Sequence, residues 1–363
     1  MKNTFGSNIS LTIFGESHGG AVGCVLDGIA PGIKVDIDYV NRLLEMRRPS
    51  GAISTARQEK DPFVFESGVY NGYTTGTPIC IVIPNNDTRS KDYGEMSRMA
   101  RPSHADYTAH VKYRGYQDYR GGGHFSGRIT AALVAAGGII IPALNKKGIY
   151  IGTHIKKCAG VSDREFDDLF TDISTLSTKD FAALDESVAE QIQTKILEAR
   201  QNGDSVGGLL ETAIIGLEAG LGEPWFDSVE SLLSHALFSI PAVKGVEFGA
   251  GFALADMFGS VANDPFCMNL DKVSTETNNS GGINGGITNG MPIMFKIAMR
   301  PTPTIAKEQK TIDYVNLKDG VLSAAGRHDP CIVHRARVVV DCVSALVVAD
   351  LLAGKYGTDW LAL

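Results

Sequence analysis

The sequence lacks the features that mark membrane-spanning, secreted and nucleic-acid-binding proteins. Its longest apolar stretch, residues 131–144, is interrupted by glycine and proline and is shorter than the ~18 apolar residues of a membrane span. The first ten residues contain one lysine and no apolar core, so no signal or transit peptide is visible. The net charge of −7 disfavours broad binding to nucleic acid, which needs a clustered basic surface. We therefore expect a cytoplasmic protein without a membrane or nucleic-acid partner.

Cysteine is also sparse, and its spacing forms no recognisable framework. There is no C-x-x-C pair and no histidine at zinc-finger spacing, so we predict reduced, mostly buried thiols and no metal site. The six cysteines are Cys24, Cys80, Cys158, Cys267, Cys331 and Cys342.

No linker rich in proline, glycine and serine divides the chain, whose 44% hydrophobic and 21% charged residues are typical of a folded protein. We predict one domain over residues 1–363. The alternation of apolar and polar residues predicts a strand at residues 9–14. Further strands are predicted at residues 207–217, 243–248 and 292–299, and helices at residues 38–46, 128–144, 163–202, 228–238 and 343–352. Residues 85–127 are predicted to be a long functional loop.

The dipeptide Asn71-Gly72 predicts a two-residue hairpin turn between strands at residues 64–70 and 78–83, because both positions tolerate positive φ. A hairpin disfavours an all-parallel sheet. We therefore predict the α+β class, in which antiparallel sheets sandwich central helices in a single large domain.

Three glycine-containing segments concentrate ionisable residues. GESHGG at residues 15–20 follows a strand and carries His18, which either faces a ligand or merely solvates a turn. Aromatic residues are interleaved with arginines at residues 101–120 and could hold a planar ring and a phosphate, a nucleic-acid base being one candidate for the ring. The third segment, GRHDPC at residues 326–331, contains an Asp-Pro pair that could be only a turn.

Residues 121–128 (GGGHFSGR) lead into the predicted helix at residue 128 and could cradle a phosphate, or could form only a tight bend. They match neither of the common nucleotide-binding glycine motifs. Further glycine-rich or hydroxyl-rich loops lie at residues 279–287 and 300–304. Together these segments predict a large site that binds anionic groups, for a planar cofactor and a phosphorylated substrate.

Read in order, these segments resemble the chorismate synthase family. FGESHG (14–19), RPSHADY (101–107), DYRGGG (118–123) and GRHDPC (326–331) are similar to family signatures, as are DGIAPG (27–32), TTGTP (74–78), GLGEP (220–224) and VKGVEFG (243–249). The likeness covers nearly the whole chain. It implies a lyase of the shikimate pathway to aromatic amino acids, which eliminates phosphate from 5-enolpyruvylshikimate 3-phosphate by a trans-1,4 route and needs reduced FMN without net redox change.

The resemblance also implies roles for individual residues. His18 would protonate the departing phosphate, His104 would protonate the reduced flavin or stabilise its charge, and Asp329 would act as a base through the flavin N5 edge. Ser17, Arg47 and Arg128 would contact the substrate or its phosphate. With no acidic residue in the four positions that follow it, Arg47 is expected to be an exposed, unpaired charge facing that phosphate.

The cofactor contacts implied by the resemblance are His124, Phe125, Ser126, Pro241, Ala242, Gly285, Arg300, Pro301, Thr302, Pro303, Thr304 and Arg327. The sequence departs from the common family pattern at His124 and Phe125, at Ile129, at Pro241 and near Ala52. The family further implies a homotetramer, an external flavin reductase and NADPH as the indirect reductant. Two alternatives remain at this stage: a non-catalytic relative that binds FMN or a phosphorylated ligand, and a metal-dependent hydrolase built on His18, His104, His124 and Asp329.

Overall fold

The computed structural model describes residues 2–55, 60–86, 98–323 and 329–363. Its α-helices are α1 Ile37–Arg47, α2 Asp106–Tyr113, α3 Thr130–Lys146, α4 Leu169–Leu176, α5 Glu186–Gln201, α6 Val229–Leu237, α7 Gly259–Ala262 and α8 Val333–Tyr356. Its strands are β1 Thr4–Phe5, β2 Ser10–Gly15, β3 Ala21–Asp27, β4 Val64–Ser67, β5 Val69–Tyr70, β6 Tyr73–Thr74, β7 Ile79–Pro84, β8 Tyr150–Cys158, β9 Val161–Ser162, β10 Gly208–Ile215, β11 Val243–Phe248, β12 Phe266–Asn269, β13 Lys272–Thr275, β14 Ile283–Asn284, β15 Ile287–Thr288, β16 Ile293–Met299, β17 Gln309–Asp313 and β18 Lys318–Leu322.

Two five-stranded antiparallel sheets form the outer layers. The first has the order β1-β2-β3-β7-β4 and the second β11-β16-β10-β8-β9. In β7 the isoleucines Ile79, Ile81 and Ile83 are buried and alternate with more exposed neighbours. An antiparallel sheet with one buried face produces this period of two, so each sheet turns one side toward the helices.

Helices α1, α3 and α8 fill the space between the two sheets. Helix α3 packs on β3 and β7 of the first sheet and on β8 of the second, while α8 packs on α3, β8 and β10. The close approach of α3 depends on Gly137, because a Cβ there would lie 2.3 Å from Cβ of Cys342 in α8. One continuous hydrophobic core results, and the predicted α+β class with central helices in a single large domain is confirmed. The extent of that domain over residues 1–363 stays a prediction.

Several local predictions are confirmed and others are wrong. Residues 71–72 form the predicted two-residue turn, with φ of 49° and 78°, but the strands that they join directly are only β5 and β6. The segment at residues 85–127 contains helix α2 and is therefore not all loop. The single helix predicted at residues 163–202 is two helices, α4 and α5, and strand β8 was missed.

Helix α3 with its preceding turn, Gly127–Lys146, is long and apolar enough to cross a membrane. Of its 18-residue apolar segment, 83% is buried inside the fold. Such a sequence also suits the central helix of a packed core. The six cysteines are free thiols, and four of them, Cys24, Cys158, Cys331 and Cys342, are buried, which confirms their prediction.

Candidate active site

The centre of the site is the glycine turn at residues 121–123, where φ is +59°, +96° and +54°. A Cβ on Gly121 would lie 2.1 Å from Cε1 of His18, and a Cβ on Gly122 would lie 3.4 Å from Nε2 of His104. Glycine is therefore required at residue 121 both by the backbone and by the space available. Consecutive glycines thus place two predicted catalytic histidines, from segments 86 residues apart in the sequence, against one short loop.

His18 is nearly buried and lies in the loop that follows β2. Its Nδ1 is 3.2 Å from Oγ of Ser17, and that hydroxyl donates to the carbonyl oxygen of Arg120 at 3.2 Å. Since the Ser17 proton is used in this bond, Oγ accepts from His18 and Nδ1 carries the ring proton of the neutral imidazole. Nε2 is then the nitrogen that carries the lone pair of the neutral ring.

His104 is oriented by a carboxylate that the sequence reasoning missed. Its Nδ1 lies 2.8 Å from Oδ1 of Asp106. The guanidinium of Arg101 donates to both oxygens of the same carboxylate, from Nη2 to Oδ1 at 2.7 Å and from Nε to Oδ2 at 2.8 Å. A carboxylate only accepts, so Nδ1 donates and Nε2 faces Gly122. Burial alone would raise the pKa of Asp106, but the hydrogen bonds from Arg101 and His104 hold it well below its usual range. The signal for Asp106 was its position two residues after His104.

A buried cluster surrounds Asp61. One carboxylate oxygen accepts from Nη2 of Arg47 at 2.7 Å, and the other accepts from Nη1 of Arg128. The expectation of an exposed, unpaired Arg47 is therefore wrong, because its partner lies 14 residues away and α1 delivers the guanidinium into the core. Burial is the main reason that the pKa of Arg47 is lowered, and the attraction of Asp61 opposes it. No sequence pattern indicated Asp61.

Asp329 lies in a second charged group. One of its oxygens accepts from the backbone N–H of Thr55 at 2.8 Å and the other from Nη2 of Arg335. Its carbonyl accepts from Oγ1 of Thr302 at 2.5 Å, which joins the predicted base to the predicted cofactor loop at residues 300–304. Among the described residues, its hydrogen bonds do not run to His18 or His104. Arg335 is close enough to contribute to the lowered pKa of Arg47, so the two charged groups are neighbours.

The predicted cofactor contacts divide into two sets. His124 donates from Nδ1 to the carbonyl of Gly15 at 2.8 Å, Phe125 is 38% exposed, and the Ser126 hydroxyl accepts from the Arg128 amide at the start of the helix. His124 and Phe125 line a cavity of about 340 Å³ with Phe14, Glu16, Tyr113 and Asp118. Ligand sites of proteins occupy about 300–1,000 Å³, so this cavity is of ligand size.

The second set lies with Asp329. Arg300 donates its backbone N–H to the carbonyl of Ala242 at 3.0 Å, which brings Pro241 and Ala242 beside Arg300, Pro301, Thr302, Pro303 and Thr304. Gly285 lies apart, in the turn between β14 and β15, and makes no hydrogen bond to another predicted site residue in the described part of the chain. Arg327 is outside the described residues.

Comparison with known proteins identifies the family. The family model described as chorismate synthase matches residues 9–353. The chain belongs to the chorismate synthase family. It is 45% identical over 349 residues to a chorismate synthase of Thermococcus gammatolerans and 46% identical over 347 residues to one of Pyrococcus abyssi, with 96% of each chain covered in both cases.

A solved structure agrees with these sequence relatives. The crystal structure of a chorismate synthase superposes with a TM-score of 0.76 at 28% identity, covering 97% of this chain and 94% of the other. The fold and the enzyme class predicted from the sequence, a chorismate synthase and hence a lyase, are therefore confirmed.

Proposed function

We infer that the chain eliminates phosphate from 5-enolpyruvylshikimate 3-phosphate by a trans-1,4 route to give chorismate, the last common step toward the aromatic amino acids. The observation that carries this proposal is the glycine turn at residues 121–123, which packs against His18 and His104. Near it, Arg47 and Arg128 hydrogen-bond to Asp61, and Arg335 hydrogen-bonds to Asp329. Guanidinium groups of this kind suit a substrate with two carboxylates and a phosphate.

The residues present also fit a phosphorylated planar cofactor. The Nε atoms of Arg300 and Arg335 are buried and have no hydrogen-bond partner among the described residues, although buried donors are nearly always paired. Anion oxygens would satisfy both guanidiniums. Exposed faces of Phe125 and Tyr119, which border the pocket beside His104, offer surfaces for a flat ring. This chemistry supports reduced FMN.

When bound, reduced FMN supplies the flavin that the reaction requires without net oxidation. His124, Phe125 and Ser126 would hold it on one side, and Pro241, Ala242 and residues 300–304 on the other. Gly285 and Arg327 stay predicted contacts without structural support.

The protein's own groups divide the proton transfers. We propose that His18 protonates an oxygen of the leaving phosphate from Nε2, since Nδ1 is held by Ser17. His104 would protonate the reduced flavin or stabilise its charge, and Asp106 fixes the orientation of its ring through Nδ1. Asp329 serves as the base, and Arg335 and the amide of Thr55 fix the orientation of its carboxylate. Arg47 and Arg128 bind the phosphate.

Anaerobic assay tests the proposal. The protein is mixed with dithionite-reduced FMN and the substrate, and chorismate is followed by absorbance. Chorismate formation with reduced FMN but not with oxidised FMN is expected. If no chorismate forms while calorimetry still detects FMN in the presence of substrate, the non-catalytic relative is the correct reading. If calorimetry detects no FMN affinity, both the cofactor and its site are wrong.

The remaining parts of the proposal concern the source of reduced FMN, the location of the protein and its oligomeric state. An external flavin reductase that uses NADPH would provide reduced FMN, and the cytoplasmic location stays a prediction. A homotetramer is supported by large apolar side chains in residues 225–270 that are at least two-thirds exposed: Trp225, Phe226, Phe252, Phe258, Phe266, Met268 and Leu270. Such exposure is unusual unless another surface covers it. Light scattering coupled to gel filtration measures the mass directly.

A further inference from the structure

Asn85 directly follows β7 and makes hydrogen bonds with every part of its side-chain amide. Nδ2 donates to the carbonyl oxygens of Glu16 and Gly19, each at 2.9 Å. Oδ1 accepts from Nε of Arg128 at 3.0 Å. Its backbone N–H donates to the carbonyl of Gly20 at 3.1 Å.

These bonds fix the direction of the amide. Both protons of Nδ2 point at main-chain carbonyls, and only Oδ1 can face a guanidinium, which is a pure donor. Aspartate has the same size but lacks the two protons, and leucine has neither donor nor acceptor. An amide is therefore required at residue 85 if both sets of bonds are to form.

The two partners of this amide are parts of the active site. Glu16 and Gly19 bracket His18, so their carbonyls define the path of the loop that carries the imidazole. Arg128 belongs to the cluster in which Asp61 also holds Arg47. The side chain of Asn85 thus connects the loop that carries His18 to the arginine cluster around Asp61.

We propose that Asn85 is a positioning residue, which holds the His18 imidazole in register with the Arg128 guanidinium so that both address the same phosphate. The proposal rests on the proposed function, in which His18 is the acid and Arg128 a phosphate ligand. Asn85 acts through these two residues. A displacement of about 1 Å in a reacting group can cost about 10²-fold in rate, so a tether of this kind has a measurable effect.

The test uses Asn85→Ala and Asn85→Asp in the full-length protein, with kcat and KM measured anaerobically across pH with reduced FMN. Both variants are expected to lose about 10- to 100-fold in kcat. Asn85→Asp keeps an acceptor for Arg128 but adds a negative charge beside the His18 loop. A nearby negative charge favours the protonated imidazole, so the alkaline limb of kcat should move to higher pH in this variant and not in Asn85→Ala. A purely structural role would not move that limb.

Asn8 offers a matched control. Its Nδ2 also donates to a main-chain carbonyl, that of Asp350, at 3.4 Å, and it makes no hydrogen bond to a predicted site residue in the described part of the chain. Asn8→Asp should leave kcat within about twofold of the parent value and should leave the alkaline limb of kcat at the same pH. Thermal unfolding of all three variants checks that each is folded under the assay conditions.

Two outcomes would overturn the proposal: a folded Asn85→Ala with parental kcat and KM, or an Asn85→Asp whose alkaline limb stays in place. If the parent protein itself forms no chorismate, the proposed function fails separately. The tether is then tested by NMR titration of ¹³C-labelled histidine, with His18→Ala used for assignment. An unchanged His18 pKa in Asn85→Asp would refute the tether, and a raised one would support it.

Discussion

Replacing Arg47 by alanine should destabilise the protein strongly. The Arg47 side chain is 6% exposed and that of Asp61 is 0% exposed, so the change breaks a buried ion pair. Removing one partner of such a pair costs about 3–5 kcal/mol. Because Asp61 keeps Arg128 as a partner, we expect the lower end, about 3 kcal/mol. For a chain of 363 residues this corresponds to a fall of about 4 °C in Tm.

The assay is calorimetric or urea-induced unfolding of the parent, Arg47→Ala and Arg42→Ala. Arg42 lies on the same helix, is exposed, and donates to the carbonyl of Thr178 at 3.0 Å. Its loss should cost about 0.5 kcal/mol, as for ordinary surface changes. If Arg47→Ala unfolds within about 1 °C of Arg42→Ala, the buried pairing with Asp61 makes no net contribution and the reasoning is refuted. A raised KM for the substrate in Arg47→Ala would show separately that the guanidinium also binds phosphate.

Two other predictions concern histidines. His18→Ala and His104→Ala should each lower kcat by about 10²–10⁴-fold while the fold survives, measured by anaerobic kinetics and circular dichroism, and near-parental kcat in either variant would remove that residue from the proton transfers. Burial alone would lower the pKa of His154, but its hydrogen bonds to Asp163 and Glu211 outweigh this and raise it above 6.5. The resulting stabilisation is fully present below pH 6.5 and is lost as pH rises through the raised pKa. His154→Gln should therefore be less stable than the parent at pH 6, and the difference in their free energies of unfolding in urea should decrease toward pH 9. A difference that does not change with pH would contradict the charge pairing.

The sequence by itself determined the fold class, most of the long elements and two histidines, His18 and His104, that lie together against one glycine turn. Strands β10, β11 and β16 lie where the sequence predicted strands, and in β16 buried residues alternate with half-buried ones, which is the period of two of a half-buried strand. Motifs around His18 and His104 carry their own glycine and turn chemistry, so they could be recognised locally. Helix α2 was missed because its polar, aromatic sequence has little apolar periodicity.

The tertiary structure alone decided which charges are paired. Asp61 meets Arg128 across 67 residues and Arg47 across 14, and Asn85 meets Arg128 across 43, so no local spacing could reveal these contacts. Their formation depends on helix α1 and the end of β7 being packed beside the start of α3. Which charged groups pair depends on which of them are removed from water together when the protein folds. Their burial results from the packing of the layers and cannot be read from one segment of the sequence. For this reason Arg47, which the sequence presented as an unpaired surface charge, is buried and paired with Asp61.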